Sequence, residues 1–426
     1  MRDAGTTVRH LLVRSDFRRL LLTRLTAQSG DGVLQAALAG TLLFNPQRAA
    51  DPLDVAAGFA VLLLPYSLVG PFAGVWLDRW SRRQVLLRAN LVRSALVGLL
   101  AVLVWGGVSG LPFLLIGLAV FSVSRFLLSA LSASLPHTTD EPSLVPANAL
   151  STTSGAVATV VGGAVAVALL PLAGAGDGAY AVMTLAAALP YLASARAAGG
   201  FDRRYLGPDS ATRAASLSMR AVGAGMVAGA RHAWARPPAV VALAVITAHR
   251  LCFGLVTLMT LLLFRNTLDA WGPVPGGLGG LGVVVAAGAG GTLLAAAVTP
   301  AAVRRLGRSR WVTLLLAVAG PLLVALGLPA LAPTVVLAGL VLGFVGQGVK
   351  ICVDATLQES VEDDFRGRVF SVYDTLVNVS YVVALVAAAF LLPASGVSAA
   401  LVVTVGAVYA LTAVLSGVPQ AKFPAR

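Results

Sequence analysis

The stretch Gly74-Val75-Trp76-Leu77-Asp78-Arg79-Trp80-Ser81-Arg82-Arg83 carries three arginines and an aspartate into an otherwise apolar region. Apolar runs flank it over 53–77 and 85–105. A helix needs about 20 apolar residues to cross roughly 30 Å of hydrocarbon, and both runs are long enough. A short charged turn between two such runs reads as two membrane helices meeting in water at one face of a bilayer.

Ten further runs repeat the pattern, over 20–44, 111–135, 148–172, 178–198, 237–264, 277–300, 311–328, 332–356, 371–393 and 397–418. The runs are continuous, without the period-two alternation of barrel strands, so helix is expected. The 426-residue composition agrees. Hydrophobic residues make up 58% and charged residues 12%, against about 45–50% and about 25% in soluble domains. That much apolar surface excludes a soluble fold and a disordered chain.

The charges set an orientation. With the N-terminus in the cytoplasm, 24 of the 31 Lys and Arg fall in cytoplasmic segments, and only Arg48 and Arg265 fall outside. This bias predicts that both termini are cytoplasmic. It also explains the net charge of +13 without nucleic acid. The basic start, with Arg2, Arg9, Arg14, Arg18 and Arg19, reads as an arm rather than a signal peptide. The expected divisions are an arm over 1–19, a six-helix bundle over 20–198 and a linker over 199–236. A second six-helix bundle over 237–418 and a tail over 419–426 follow. The linker holds an amphipathic stretch, Met226–Trp234, expected to rest on the membrane surface.

The halves repeat at an offset near 226. Arg82 corresponds to Arg308, and Arg125 to Lys350. Parallel repeats of six helices are a transporter signature. Gly74, Asp78, Arg79, Arg82 and Arg83 resemble the signature G-x-x-x-D-R-x-G-R-R of the major facilitator superfamily, with Ser81 in place of its second glycine. The resemblance extends over essentially the whole chain. It implies an all-α polytopic membrane protein with twelve transmembrane helices in two pseudo-symmetric bundles. Gly30-Asp31-Gly32, Pro146-Ala147-Asn148-Ala149-Leu150 and Arg366-Gly367-Arg368-Val369-Phe370-Ser371 further resemble the branch holding macrolide-efflux and siderophore-export proteins.

Within the 74–83 turn, Gly74 permits close helix approach, and Asp78 can accept bonds from a helix N-terminus. Asp374, expected in the first turn of span eleven, could pair with Arg79 or Arg82. Together with Arg83 these residues form a candidate conformational latch whose breaking accompanies the switch. The alternative is a tight turn that only sets orientation.

Charge at mid-bilayer costs about 2.5–3.5 kcal/mol on insertion scales, so each such residue is a functional candidate. Span one carries Arg24, Gln28, Asp31 and Gln35 at helical spacing. Span four carries Ser122, Arg125, Ser129 and Ser132, and span seven Arg250, Thr257 and Thr260. Span ten carries Gln347, Lys350, Asp354 and Gln358. In the resembled fold, spans 1, 4, 7 and 10 line the central cavity. Asp31 is the candidate proton carrier, with Arg125 its expected partner. Gln28, Gln35, Ser129, Arg250, Thr257, Gln347, Lys350 and Asp354 are the candidate cavity residues.

Lys350 and Asp354 are expected to neutralise each other. The deep charges Asp31, Arg125, Arg250, Lys350 and Asp354 then sum to +1, which favours anionic or neutral amphipathic molecules. Arg93 is expected to snorkel, and His249 to be structural. The glycines of spans five and eight are expected to allow close packing and rocking between halves. The acidic residues Glu359, Glu362, Asp363 and Asp364 are expected in a solvated loop.

No P-loop, H-E-x-x-H or Cys/His cluster is present, which argues against an enzyme, a metal or a cofactor. The favoured reading is a proton-coupled exporter of a small amphipathic organic molecule, a monomer in the cell membrane. An importer or uniporter of a polar nutrient, and a non-transporting receptor or scaffold, are the alternatives.

Overall fold

The computed structural model describes residues 10–41, 57, 61, 72–77, 79–108, 110–140, 143–174, 176–203, 205–207 and 219–417. Among these the fold is helical, and ten helices are long and apolar enough to cross a membrane. Most of span two, Asp78 and the tail lie outside the described residues.

The first unit contains α1 (Ser15–Ala39), α2 (Ala73–Leu77), α3 (Arg82–Trp105), α4 (Leu111–Ser134), α5 (Leu144–Leu169), α6 (Asp177–Ala186) and α7 (Ala188–Gly199). The break between α6 and α7 follows from Pro190, whose missing N–H leaves the Ala186 carbonyl without its helical donor. The second unit contains most of α8 (Met219–Trp234). It continues with α9 (Pro237–Asn266), α10 (Gly277–Leu306), α11 (Arg308–Gly327), α12 (Ala332–Ser360), α13 (Asp363–Leu391) and α14 (Ala399–Gly417).

The same pairing recurs in both units. In the first, α1 packs on α5, and α3 packs on α6 and α7. In the second, α9 packs on α13 and α11 on α14, while α10 lies along α12. Small residues permit this closeness. A Cβ on Gly32 would stand 1.9 Å from the Thr159 carbonyl oxygen, and one on Gly162 would stand 2.2 Å from that of Ser29. Across α10 and α12, a Cβ on Gly291 would meet the Leu340 carbonyl at 2.1 Å, and one on Gly343 that of Gly288 at 2.0 Å. The span-five and span-eight glycines therefore seat helices of their own unit, and Gly290 has nothing within 4 Å of its would-be Cβ.

Several boundaries differ from expectation. The loop expected between the spans 277–300 and 311–328 is one residue, Gly307, at a φ of 83° that glycine adopts without steric penalty. The linker helix begins at Met219 rather than Met226. Glu359 lies in the last turn of α12 and Asp363 opens α13, so the acidic run is a tight helix junction, not a loop. Carboxylates suit the start of α13, where the helix dipole is positive. That early start places Asp374 in the third to fourth turn of its helix rather than the first.

Candidate functional site

Gly30, Asp31 and Gly32 each serve a different neighbour. A Cβ on Gly30 would stand 2.5 Å from the Tyr191 ring, so the glycine makes room for that ring. Gly32 admits the α5 backbone. Asp31, 6% exposed, points into the unit and ion-pairs with Arg93, which is fully buried. The same Asp31 oxygen accepts hydrogen bonds from the Ser124 hydroxyl (3.0 Å) and the Tyr191 hydroxyl (2.9 Å). One carboxylate thereby ties α1 to α3, α4 and α7.

A second layer holds this cluster. Arg93 donates to Asn90 Oδ1 at 3.1 Å, and its guanidinium lies 3.7 Å from the Tyr191 ring centroid. Asn90 donates to Ser194 Oγ at 2.9 Å, and Ser194 donates to the Thr23 carbonyl at 2.7 Å. The structure thus corrects two expectations. Arg93 does not snorkel, because Asp31 faces it inside the unit. Arg93, not Arg125, is the ion-pair partner of Asp31.

Asn90, Ser124, Tyr191 and Ser194 are the cluster members that sequence reading missed. Asn90 and Arg93 share one face of an apolar span at i, i+3, a signal that was available. Ser124 precedes Arg125 and lies off the predicted stripe of span four. Of the remaining stripe residues, Arg24 donates to Gln28 Oε1 at 3.1 Å and to Ser151 Oγ at 2.8 Å. Arg125 and Ser129 are half-buried, and Gln35 is exposed.

In the second unit, Lys350 and Asp354 form the expected i, i+4 ion pair. Arg250 lies 5.9 Å from the Phe253 ring centroid, and the Phe253 and Tyr381 rings are 5.5 Å apart. The Tyr381 hydroxyl donates to Thr257 Oγ1 at 3.2 Å. Gln347 is half-buried on α12. His249 is buried with its Nδ1 2.8 Å from the Tyr409 hydroxyl, and a Cβ on Gly346 would stand 2.7 Å from its Nε2. Its place is thus set by packing. The described residues contain no group of three His, Cys, Asp or Glu placed to hold a metal. Cys252 and Cys352 are buried free thiols.

The 79–83 turn is anchored inside the first unit. Arg82 donates to the Ala133 carbonyl at 2.8 Å and lies 3.0 Å from His137 Nε2. Arg83 donates to the Gly199 carbonyl at 2.8 Å. Arg308, the repeat counterpart of Arg82, also opens its helix, and it pairs with Glu359 at the end of α12. In both units this arginine, at the start of one span, binds the end of the span that follows it. Asp78 lies outside the described residues, as do the side-chain surroundings of Gly74.

Long apolar helices arranged in two like-built units, with ion pairs among them, are those of a polytopic membrane protein. Residues 20–385 match the model of the Major Facilitator Superfamily, and the chain belongs to that family. Uncharacterised MFS-type transporters of Mycobacterium bovis and Mycobacterium tuberculosis are each 40% identical over 410 residues, covering 96% of this chain and 91% of theirs. The fold is similar to a crystal structure of the nucleoside transporter NupG, with a TM-score of 0.67, 12% identity and coverage of 95% and 97% of the two chains. A POT family transporter in complex with 5-aminolevulinic acid is similar at a TM-score of 0.66, 11% identity and 94% coverage of each chain.

Proposed function

We propose that this transporter is a proton-coupled exporter of small amphipathic organic anions, working by alternating access. One observation carries the reading: a carboxylate in span one is buried against a fully buried arginine and two hydroxyls. A proton on Asp31 removes the charge that holds Arg93. Proton binding and the packing of α1 against α3 and α7 are then linked, and such linkage lets a gradient drive a conformational cycle. Arg125 is the first-unit cation proposed to respond when Asp31 is neutralised.

The burial of Arg93 shifts the charge balance. The deep residues now comprise four cations (Arg93, Arg125, Arg250 and Lys350) and two carboxylates (Asp31 and Asp354). The surplus of two positive charges favours an organic anion. The Arg250, Phe253 and Tyr381 side chains supply a cation beside aromatic faces for its head and body. Gln28, Gln35, Ser129, Thr257 and Gln347 supply neutral hydrogen bonds. The Asp78, Arg79 and Asp374 latch remains part of the reading, with Gly74 as its close-approach residue and Arg82 and Arg83 as its fixed base. The protein is proposed to act as a monomer in the cell membrane, with both termini cytoplasmic, an N-terminal bundle over 20–198 and a C-terminal bundle over 237–418.

The test is pH-gradient-driven transport in proteoliposomes against anionic, neutral and cationic compounds. Anions are expected to move down an imposed pH gradient, and Asp31→Asn is expected to uncouple them from it. Undiminished proton coupling in Asp31→Asn removes that residue from the role. A preference for cations overturns the substrate class.

A further inference from the structure

The exposed edge of α3 has a defined start and end. Arg88 is exposed, and Val92, Ala95, Leu99, Val102 and Trp105 follow it at steps of three and four. Val92 is 47%, Leu99 48%, Val102 66% and Trp105 68% exposed. Such a stripe on a membrane span faces hydrocarbon. Seventeen residues separate Arg88 from Trp105, about 26 Å of helix at 1.5 Å per residue. That is close to the roughly 30 Å thickness of the hydrocarbon layer. Arg88 and Trp105 therefore mark the two headgroup levels, as a snorkelling cation and an interfacial aromatic do.

At the level of Arg88 a groove of about 480 Å³ opens between α3, α4 and the 79–81 turn. Its upper part is lined by Arg79, Gln84 and Arg88, and its lower part by Val92 and Val123. Trp80 forms one wall, edge-to-face with Phe126 at 6.2 Å. Trp80 is 52% exposed. Arg88 has no hydrogen bond or ion pair among the described residues. The groove thus runs without a step from the Arg88 cation onto the hydrocarbon-facing stripe of α3.

We propose that this groove holds the headgroup of one anionic phospholipid from the leaflet on the side of the arginine-rich turns. The phosphate sits against Arg88 at the mouth of the groove, and an acyl chain follows Val92 down the apolar edge of α3. A soluble phosphate would use the cation alone and would leave the apolar part of the groove in contact with nothing. A zwitterionic lipid would bring its own cation against Arg88. Charge complementarity and continuity with the stripe therefore favour an anionic lipid.

The full chain, extracted in mild detergent, is tested by native mass spectrometry with added phosphatidylglycerol, phosphatidylcholine or glycerol 3-phosphate. One phosphatidylglycerol per chain is expected to survive, at several-fold the level of phosphatidylcholine, with no retained glycerol 3-phosphate. Arg88→Gln is expected to lower phosphatidylglycerol retention about fivefold, in line with the loss of one cation from an anionic lipid surface. Gln84→Glu, which keeps both arginines and adds a repelling carboxylate, is expected to lower it as well. Arg231→Gln, an exposed cation on α8 outside the groove, is expected to leave it unchanged. Equal retention of the two lipids overturns the proposal, as does unchanged retention in both groove variants. Glycerol 3-phosphate held as firmly as the lipid overturns it in favour of a soluble anion.

Discussion

The Arg93 guanidinium stands 3.7 Å from the centre of the Tyr191 ring, while the hydroxyl of that ring bonds the carboxylate that Arg93 neutralises. Tyr191 thus touches both members of the Asp31–Arg93 pair, through different parts of one side chain. Tyr191→Phe keeps the ring under the guanidinium and removes one hydrogen bond, for an expected cost of about 1 kcal/mol. Tyr191→Leu also loses the cation–π contact, a further cost of about 2 kcal/mol when desolvated. Thermal unfolding in detergent reads the difference, and equal losses in the two variants would show that the ring face contributes nothing.

Removing one member of a buried ion pair strands the other charge. Arg93→Leu is therefore expected to destabilise by about 3–5 kcal/mol. The double variant with Asp31→Asn should be less damaged than the sum of the single variants. A double-mutant cycle pairing Asp31→Asn with Arg125→Gln is expected to show much weaker coupling. Stronger coupling to Arg125 than to Arg93 would reject the observed pairing.

Gly32 meets backbone, which cannot turn aside. Gly32→Ala is expected to cost at least about 1–3 kcal/mol through overpacking against Thr159. Gly98 on α3 has nothing within 4 Å of its would-be Cβ. There the same change should be neutral or stabilising by up to about 1 kcal/mol, since alanine favours helix. Melting temperatures of the two variants in one detergent make the comparison.

The linker helix offers a pH dependence. His232 on α8 stacks on Phe365 of α13 with ring centroids 4.0 Å apart, and Arg236 beside it pairs with Glu362. Desolvation, and then the Arg236 charge, hold the imidazole below its ordinary 6.5, with Glu362 opposing. The docked helix therefore favours neutral His232. Its stability is full above pH 6.5 and declines as pH falls through the lowered value. Amide exchange over 219–234, corrected for intrinsic rates, should quicken below pH 6.5 in the parent chain. The quickening should be absent in His232→Gln, and a pH-insensitive parent would sink the idea.

The contrast between Asp31 and Lys350 shows what a sequence carries. Lys350 and Asp354 lie one helical turn apart, so periodicity alone brings them together, and they pair as read. Asp31 and Arg93 are 62 residues apart on separate helices. Periodicity shows which residues share a face of one helix, not which face of another helix it meets. Arg125 was the expected partner because it stands on a longer polar stripe, while Arg93 shares its face only with Asn90. Ser124 contacts Asp31 because α4 is turned one position from that expectation. The long spans were legible because length and hydropathy are local properties. The single-glycine turn at Gly307 was hidden because charged residues that look like loop, Arg304 and Arg305, continue the helix.

The Gly30-Asp31-Gly32 triplet also bears on biogenesis. Ten described helices are apolar enough to enter a bilayer on composition, and α1 is not among them. Asp31 leaves the ribosome 62 residues ahead of Arg93 and 160 ahead of Tyr191. Until those partners arrive, its carboxylate has neither cation nor ring hydroxyl, and Gly32 has no α5 backbone to fit. The α1 span is thus secured only once α3, α5 and α7 have followed it.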